Sequence, residues 1–253
     1  MMDVIRSSVP IKLNESAGVK SLVVGNGLIA RSFCNAKFSS DTVVVASGVS
    51  NSGESRHSEF SRERRLILDT IVAHSDSTIV YFSTTSLLSK IQTPYVNHKI
   101  EMEQLVGSMA KSFYIFRLPQ VVGLVRNNTL VSYFVDSIIN GRPLVVQREA
   151  KRNLLDIDDL TRIACHLIEN RFGVNSTQNI SSAVCVPVWK IVEEIFSIMK
   201  RRFEYQLVDS GVDQCVDTSF LLGVFGCGDP LFSSDYWRDV LQKYVPSIRS
   251  ISG

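Results

Sequence analysis

The sequence predicts an α/β fold built on a parallel, doubly wound sheet. Three observations predict it. Apolar strand-like runs alternate with amphipathic helical stretches, short Gly- or Ser-marked turns join them, and 253 residues suit one large domain with a small annex. A hydrophobic content of 45% and a net charge of +2 describe an ordinary globule, too evenly charged to imply nucleic acid.

Taken in order, residues 1–19 read as a leader. "KSLVVGNGLIARSF" (20–33) runs strand, glycine turn, helix, and "TVVVASG" (42–48) is a second strand ending in small residues. After the loop "SNSGES" (50–55), "EFSRERRLILDTIVAH" (59–74) is an amphipathic helix with its apolar stripe at Leu66, Ile67, Ile71 and Val72. The basic clusters "RERR" (62–65) and "KRR" (200–202) read as solvated faces. "STIVYFSTTS" (77–86) is a buried strand, "TPYVNHKIEMEQLV" (93–106) a helix opened by Pro94, and "SFYIFRLPQVVG" (112–123) another buried strand. Helices follow at 130–143, stopped by Gly141 and Pro143, and at 156–170, 187–202 and 233–245, with a short strand at 144–146.

The five cysteines are dispersed without metal-ligand spacing, and the four histidines are ungrouped, so no metal is expected and a reducing compartment is. No stretch has the apolar length of a signal peptide or a membrane span, which points to the cytoplasm and away from membrane insertion. The sequons at 175–177 and 179–181 carry little weight in that setting.

Two local patterns carry chemistry. Gly25-x-Gly27-x-x-Ala30 follows a strand and opens a helix, the context in which backbone N–H groups can close on a pyrophosphate; read alone, it is equally a tight turn with no ligand. The acid that usually meets the ribose at the next strand end is absent, its place held by Ala46-Ser47-Gly48. Tyr95 and Lys99 share a helix face one turn apart, where an ammonium would bring the phenol's pKa down from about 10. Such a pair recurs by chance, but here a strand ending in Thr84 precedes it and a glycine turn precedes both.

That ordered set resembles the short-chain dehydrogenase/reductase superfamily, in its extended, nucleotide-sugar-modifying branch of epimerases, dehydratases and ketoreductases. "VVGNGLIA" looks like the glycine motif, "VYFSTTSLL" the Ser/Thr strand and "PYVNHKIEMEQLV" the active-site helix. "FRLPQVVG" is similar to the R-x-P-x-x-x-G segment, "NLLDIDDLTRIA" to the V-D-D stretch, and "VDTSFLLGVFGCGDP" to the segment before the last helix. The resemblance implies a Rossmann-type sheet with NADP or NAD as cofactor. Tyr95 would be the acid/base, Lys99 its pKa partner and ribose ligand, and Thr84 the holder of the substrate oxygen. Gly25, Asn26, Gly27, Leu28, Ile29 and Ala30 would line the cofactor, as would Ala46, Ser47, Gly48, Pro119, Val121 and Val122. Thr85, Gln120, Arg142 and Arg152 would contact substrate, with Lys151 beside Arg152 and Arg31 open to a 2′-phosphate. Val24 stands where the branch places its first glycine. "TVVVASG" resembles the family's fourth strand, so the second and third strands are expected to be missing. The core is expected over 20–123 and a substrate-binding region, interleaved with it, over 124–253.

The function that follows is an NAD(P)-dependent ketoreductase, or an epimerase, acting on a nucleotide-linked sugar in cell-surface polysaccharide or deoxysugar biosynthesis. Dehydration is disfavoured because Thr85 and Ser86 stand where an Asp-Glu pair would be. A trimmed sheet leaves an edge to cover, so a homodimer is expected. The alternative is a binding or scaffolding protein that kept the fold and lost tight cofactor use.

Overall fold

The computed structural model describes residues 19–89, 91–124, 129–201 and 204–252. Apart from Val19, the expected leader lies outside them. The central sheet is five-stranded and wholly parallel, in the order β10-β6-β5-β4-β2. Its strands are β2 (Leu22–Val24), β4 (Thr42–Val45), β5 (Thr78–Thr84), β6 (Ser112–Leu118) and β10 (Ser176–Asn179). Alternation of side chains sorts residues between two cores. Val43, Val45, Ile79, Tyr81 and Ile115 pack with α2 (His57–Ala73) and α3 (Pro94–Met109). Val44, Val80, Phe82, Tyr114 and Phe116 face the other way, with Phe33 and Phe38 and with α5 (Ile157–Glu169). Helices on both faces leave the inner strands without polar alternation.

The four strands β2, β4, β5 and β6 are laid down in chain order across the sheet, so the described residues hold no strand beyond β2. The expected loss of the second and third strands is what the topology has. In their place stand α1 (Leu28–Ser32) and a two-residue strand, β3 (Lys37–Phe38), which pairs antiparallel with β1 (Val19–Lys20).

The second half of the chain shares the larger core. β7 (Gln120–Val122), β9 (Lys151–Asp156) and β11 (Cys185–Pro187) form a three-stranded sheet, and β8 (Leu144–Gln147) pairs with β12 (Tyr205–Val208). Around them stand α4 (Leu130–Ile139), α6 (Val188–Met199), α7 (Ser219–Phe225) and α8 (Tyr236–Ser252). β10 then returns to pair with β6, so the two halves interleave.

Three expectations change. On α2 the inward face is Glu63, Ile67, Thr70 and Ile71, while Val72 is 66% exposed. The stripe is rotated toward Glu63 and Thr70, and at 100° per residue Val72 swings out to water. The middle acid of "RERR" is thus buried, not part of a solvated face. The sequon region supplies β10, whose polar residues "STQN" show no strand signal and are held by pairing to β6. Finally, Cys185 and Cys215 are joined in a disulfide, where five free thiols were expected. A closed loop of 30 residues stabilises the folded chain by roughly 3.5 kcal/mol in the chain-entropy view.

Candidate active site

A parallel sheet delivers its functional residues at one rim, the C-terminal ends of its strands. Gly25 follows β2, Ala46-Ser47-Gly48 follow β4, Thr84 ends β5 and Pro119 follows β6. Residues separated by almost a hundred positions thus meet on one edge.

The glycine turn has two different glycines. Gly25 has φ +137°, and a Cβ there would lie 2.4 Å from the Ala46 carbonyl oxygen, so its glycine is required by the close approach of the two strand ends. Gly27, at the N-cap of α1, has open space where a Cβ would stand. Leu28 lies over Gly123, whose own Cβ would meet it at 2.8 Å, and Ala30 is buried beneath the helix. Ile29 packs against the larger core. Asn26 is exposed and its carbonyl accepts from Arg31 Nε at 2.9 Å, so the cation expected to be open to a phosphate is turned back on the turn. With five residues, α1 brings little aligned dipole to the rim.

Thr93 caps α3 by accepting from Val96 N–H at 3.1 Å, and Pro94 occupies the first turn. Arg117 on β6 grips Glu103 on α3 in a two-pronged ion pair, at 2.9 and 2.6 Å, fixing the helix to the sheet. Tyr95 and Lys99 therefore enter the site on a pinned helix. Tyr95 is 5% exposed and packed with Val49 and Val96, with the Thr84 side chain close enough to pull its pKa down. Lys99 Nζ lies 5.9 Å from the centre of the Tyr95 ring.

The lysine's charge, however, has another claimant. Lys99 is 3% exposed and its Nζ donates to Glu63 Oε1 at 2.8 Å and to Tyr81 OH at 3.0 Å. Tyr81 OH donates to the same Glu63 oxygen at 2.8 Å. The other oxygen, Oε2, bonds His98 Nε2 at 3.0 Å and accepts from Val49 N–H at 2.7 Å. Phe60 stacks on His98 at 4.6 Å. Gly48 closes this group: a Cβ there would lie 2.6 Å from Glu63 Oε1 and 2.9 Å from Lys99 Nζ.

The electrostatics overturn one expectation. Burial would push the Glu63 carboxyl up, but His98, Lys99 and Val49 outweigh it and hold it at about 2. Burial pushes Lys99 down against the pull of Glu63. Tyr95, expected to be lowered by Lys99, is instead pushed up to about 12, first by burial and further by the Glu63 charge, with the nearby Thr84 hydroxyl pulling the other way. A neighbouring ammonium cannot favour the phenolate when a carboxylate already balances it.

Of the expected substrate contacts, Thr85 is buried and Gln120 half-buried at the start of β7, both near the rim in sequence. The cations are otherwise engaged. Arg142 pairs with Asp136, Arg152 donates to the carbonyls of Lys151 and Val212 at 2.7 Å, and Lys151 pairs with Asp213 at 3.1 Å. Pro119, Val121 and Val122 run from the rim into the smaller sheet. Glu63 is the site residue that sequence reasoning missed. Its signal was positional: a lone acid at helical spacing from Ile67, Thr70 and Ile71.

Comparison with known proteins agrees with this architecture. The NAD dependent epimerase/dehydratase family matches residues 69–181. No curated protein matches the chain in sequence. Among solved structures, WbmH of Bordetella bronchiseptica, in complex with NAD+, superimposes with a TM-score of 0.68 at 17% identity, over 84% of this chain and 76% of its own. The UDP-N-acetylglucosamine 4-epimerase of Methanobrevibacter ruminantium M1, in complex with UDP-N-acetylmuramic acid, gives 0.66 at 15%, over 85% and 78%. DesIV of Streptomyces venezuelae, a dTDP-glucose 4,6-dehydratase with NAD and TYD bound, gives 0.70 at 14%, over 83% and 73%. Such identities establish the fold alone. The chain matches the NAD dependent epimerase/dehydratase family over residues 69–181 and shares the fold of these solved structures over more than four fifths of its length.

Proposed function

We propose that this protein is an NAD(P)-dependent oxidoreductase that works in the reducing direction, as a ketoreductase of a nucleotide-linked sugar. One observation carries the reading: a buried tyrosine stands beside Thr84 at the strand rim, with Lys99 Nζ 5.9 Å from the centre of its ring. A protonated phenol there can donate to a carbonyl oxygen as it is reduced, and the reverse oxidation, or epimerisation through it, would use the same group as a base. In this reading Thr84 orients the carbonyl oxygen and Tyr95 delivers a proton to it. Thr85, Gln120, Arg142 and Arg152 remain candidates for substrate contact.

The rim fits a dinucleotide in part. Open space at Gly27 and the accessible backbone of residues 46–48 suit a group lying along it, held by Gly25, Asn26, Gly27, Ser47 and Gly48, with Leu28, Ile29, Pro119, Val121 and Val122 alongside. When bound, the nicotinamide supplies the hydride. Lys99 spends two of its three N–H donors on Glu63 and Tyr81, which leaves one for a ribose hydroxyl. Among the structural relatives, WbmH is crystallised with NAD+ and RMD of Pseudomonas aeruginosa is complexed with NADPH.

A second reading, a binding protein that has lost tight cofactor use, is favoured by the Glu63–Lys99 pair and the bare sheet edge. Titration with NADPH and NADH, followed by nicotinamide fluorescence, separates the two. Saturable binding is expected; none up to millimolar concentration, from folded protein, would leave the second reading.

The exposed β2 edge, with Leu22 46% accessible, also supports a homodimer that covers it. Sedimentation at micromolar concentration is expected to show the dimer mass, and a monomer would end that idea. Among the described residues no helix is long and apolar enough to cross a membrane. A cytoplasmic setting accompanies the nucleotide-sugar reading, and there reduction would open the Cys185–Cys215 bond.

A further inference from the structure

Glu63 stands outside every expected site, yet its carboxylate touches more of the machinery than any other side chain. It joins three elements: α2, which carries it; β5, through Tyr81; and α3, through His98 and Lys99. Through Val49 N–H it also ties down the loop after β4, where Gly48 comes so close that no side chain fits. A buried carboxylate with four partners is held in one place, and its partners with it.

We propose that Glu63 is a positioning residue of this site: its carboxylate fixes the Lys99 ammonium against the loop after β4 and holds that positive charge back from the Tyr95 phenol. The inference deepens the reductase reading, since Glu63 adds to burial in keeping Tyr95 protonated, and it rests on Tyr95 and Lys99 being the reacting pair. The groups facing them are Glu63 from α2, Tyr81 from β5 and His98 and Glu103 from α3. Glu63 is the carboxylate in direct contact with the ammonium, and its charge acts on Tyr95 in the same sense as burial does. The nearest alternative role is a purely structural clamp, which would hold the helices together without affecting the phenol.

Tyrosine labelled at the ring carbon that bears oxygen separates these roles by NMR, with no cofactor present. The Tyr95 signal is identified by its loss in Tyr95→Phe. Followed as a pH titration of that signal, Glu63→Gln is expected to lower the Tyr95 midpoint by about one pKa unit, a tenfold rise in the ionised form wherever that form is scarce. Glu63→Asp, which keeps the charge, is expected to leave that midpoint near the native value. An unchanged Tyr95 midpoint in folded Glu63→Gln would overturn the proposal, whatever happened to the melting temperature. Should Glu63→Gln fail to fold because it strands a buried ammonium, the double variant Glu63→Gln/Lys99→Met is expected to recover the fold. A double variant no more stable than the single one would equally overturn it. Because nothing here depends on dinucleotide binding, failure of the reductase reading would show separately, in the cofactor titration.

Discussion

The two sides of the central sheet are built very differently. On the β5–β6 side, seven residues pair along each strand, both faces are covered by helices, and Arg117–Glu103 pins α3 in place. At the β2 end, three residues pair with one neighbour, Leu22 faces water, and the helix that follows has five residues. The family match has the same bias: it starts at residue 69, after the glycine turn, and ends with β10. In the proposed reading, the residues that would move protons stand on the well-built side, and the side that would hold the far half of a dinucleotide ends in a bare edge. A crevice at a sheet's rim needs walls on both sides, and here one wall is a single short strand.

The largest expected effect sharpens this contrast at the weak end. Gly25→Ala places a Cβ against the Ala46 carbonyl at a backbone angle that L residues avoid. A loss of more than about 3 kcal/mol is expected in urea unfolding. A near-native midpoint would mean the β2–β4 approach is looser than described.

On the strong side the handle is pH. Glu63 is held at about 2 against an ordinary 4.5, a depressed carboxyl, so its contribution is complete above about 4.5 and is lost as pH falls toward 2. That contribution is about 3 kcal/mol at 1.36 per unit. Thermal melts of the native protein should fall more steeply across that window than those of Glu63→Gln. Parallel curves would break the assignment.

The smallest expected effect is Gly27→Ala. With open space at that position, stability should move by less than about 0.5 kcal/mol, while NADPH binding weakens if the turn lines the cofactor. Unchanged binding would move the ligand elsewhere along the rim.

Much of this was legible in the sequence because it obeys local rules. The strand–turn–helix at Gly25, the cap at Thr93-Pro94 and the Tyr95/Lys99 face all follow from spacing. The missing strands were legible from the short stretch between Gly25 and Tyr95, 95 − 25 = 70 positions. What was not legible depends on partners far along the chain. Glu63 looks like one charge among several until His98 and Lys99 arrive from 35 and 36 residues away. β10 has no strand pattern of its own, and Cys185 meets Cys215 only because β11 and the loop after β12 converge. The direction of the Tyr95 shift belongs to the same class: spacing supplied the lysine and folding supplied the carboxylate that offsets it.

The most direct test is NADPH oxidation with a keto nucleotide-sugar, comparing the native protein with Tyr95→Phe. The account expects turnover in the native protein and a loss of about 10²–10⁴ in the variant, with NADPH affinity unchanged, as removal of a general acid requires. Equal rates in the two proteins would contradict it, and Tyr95 would then be a buried side chain and no more.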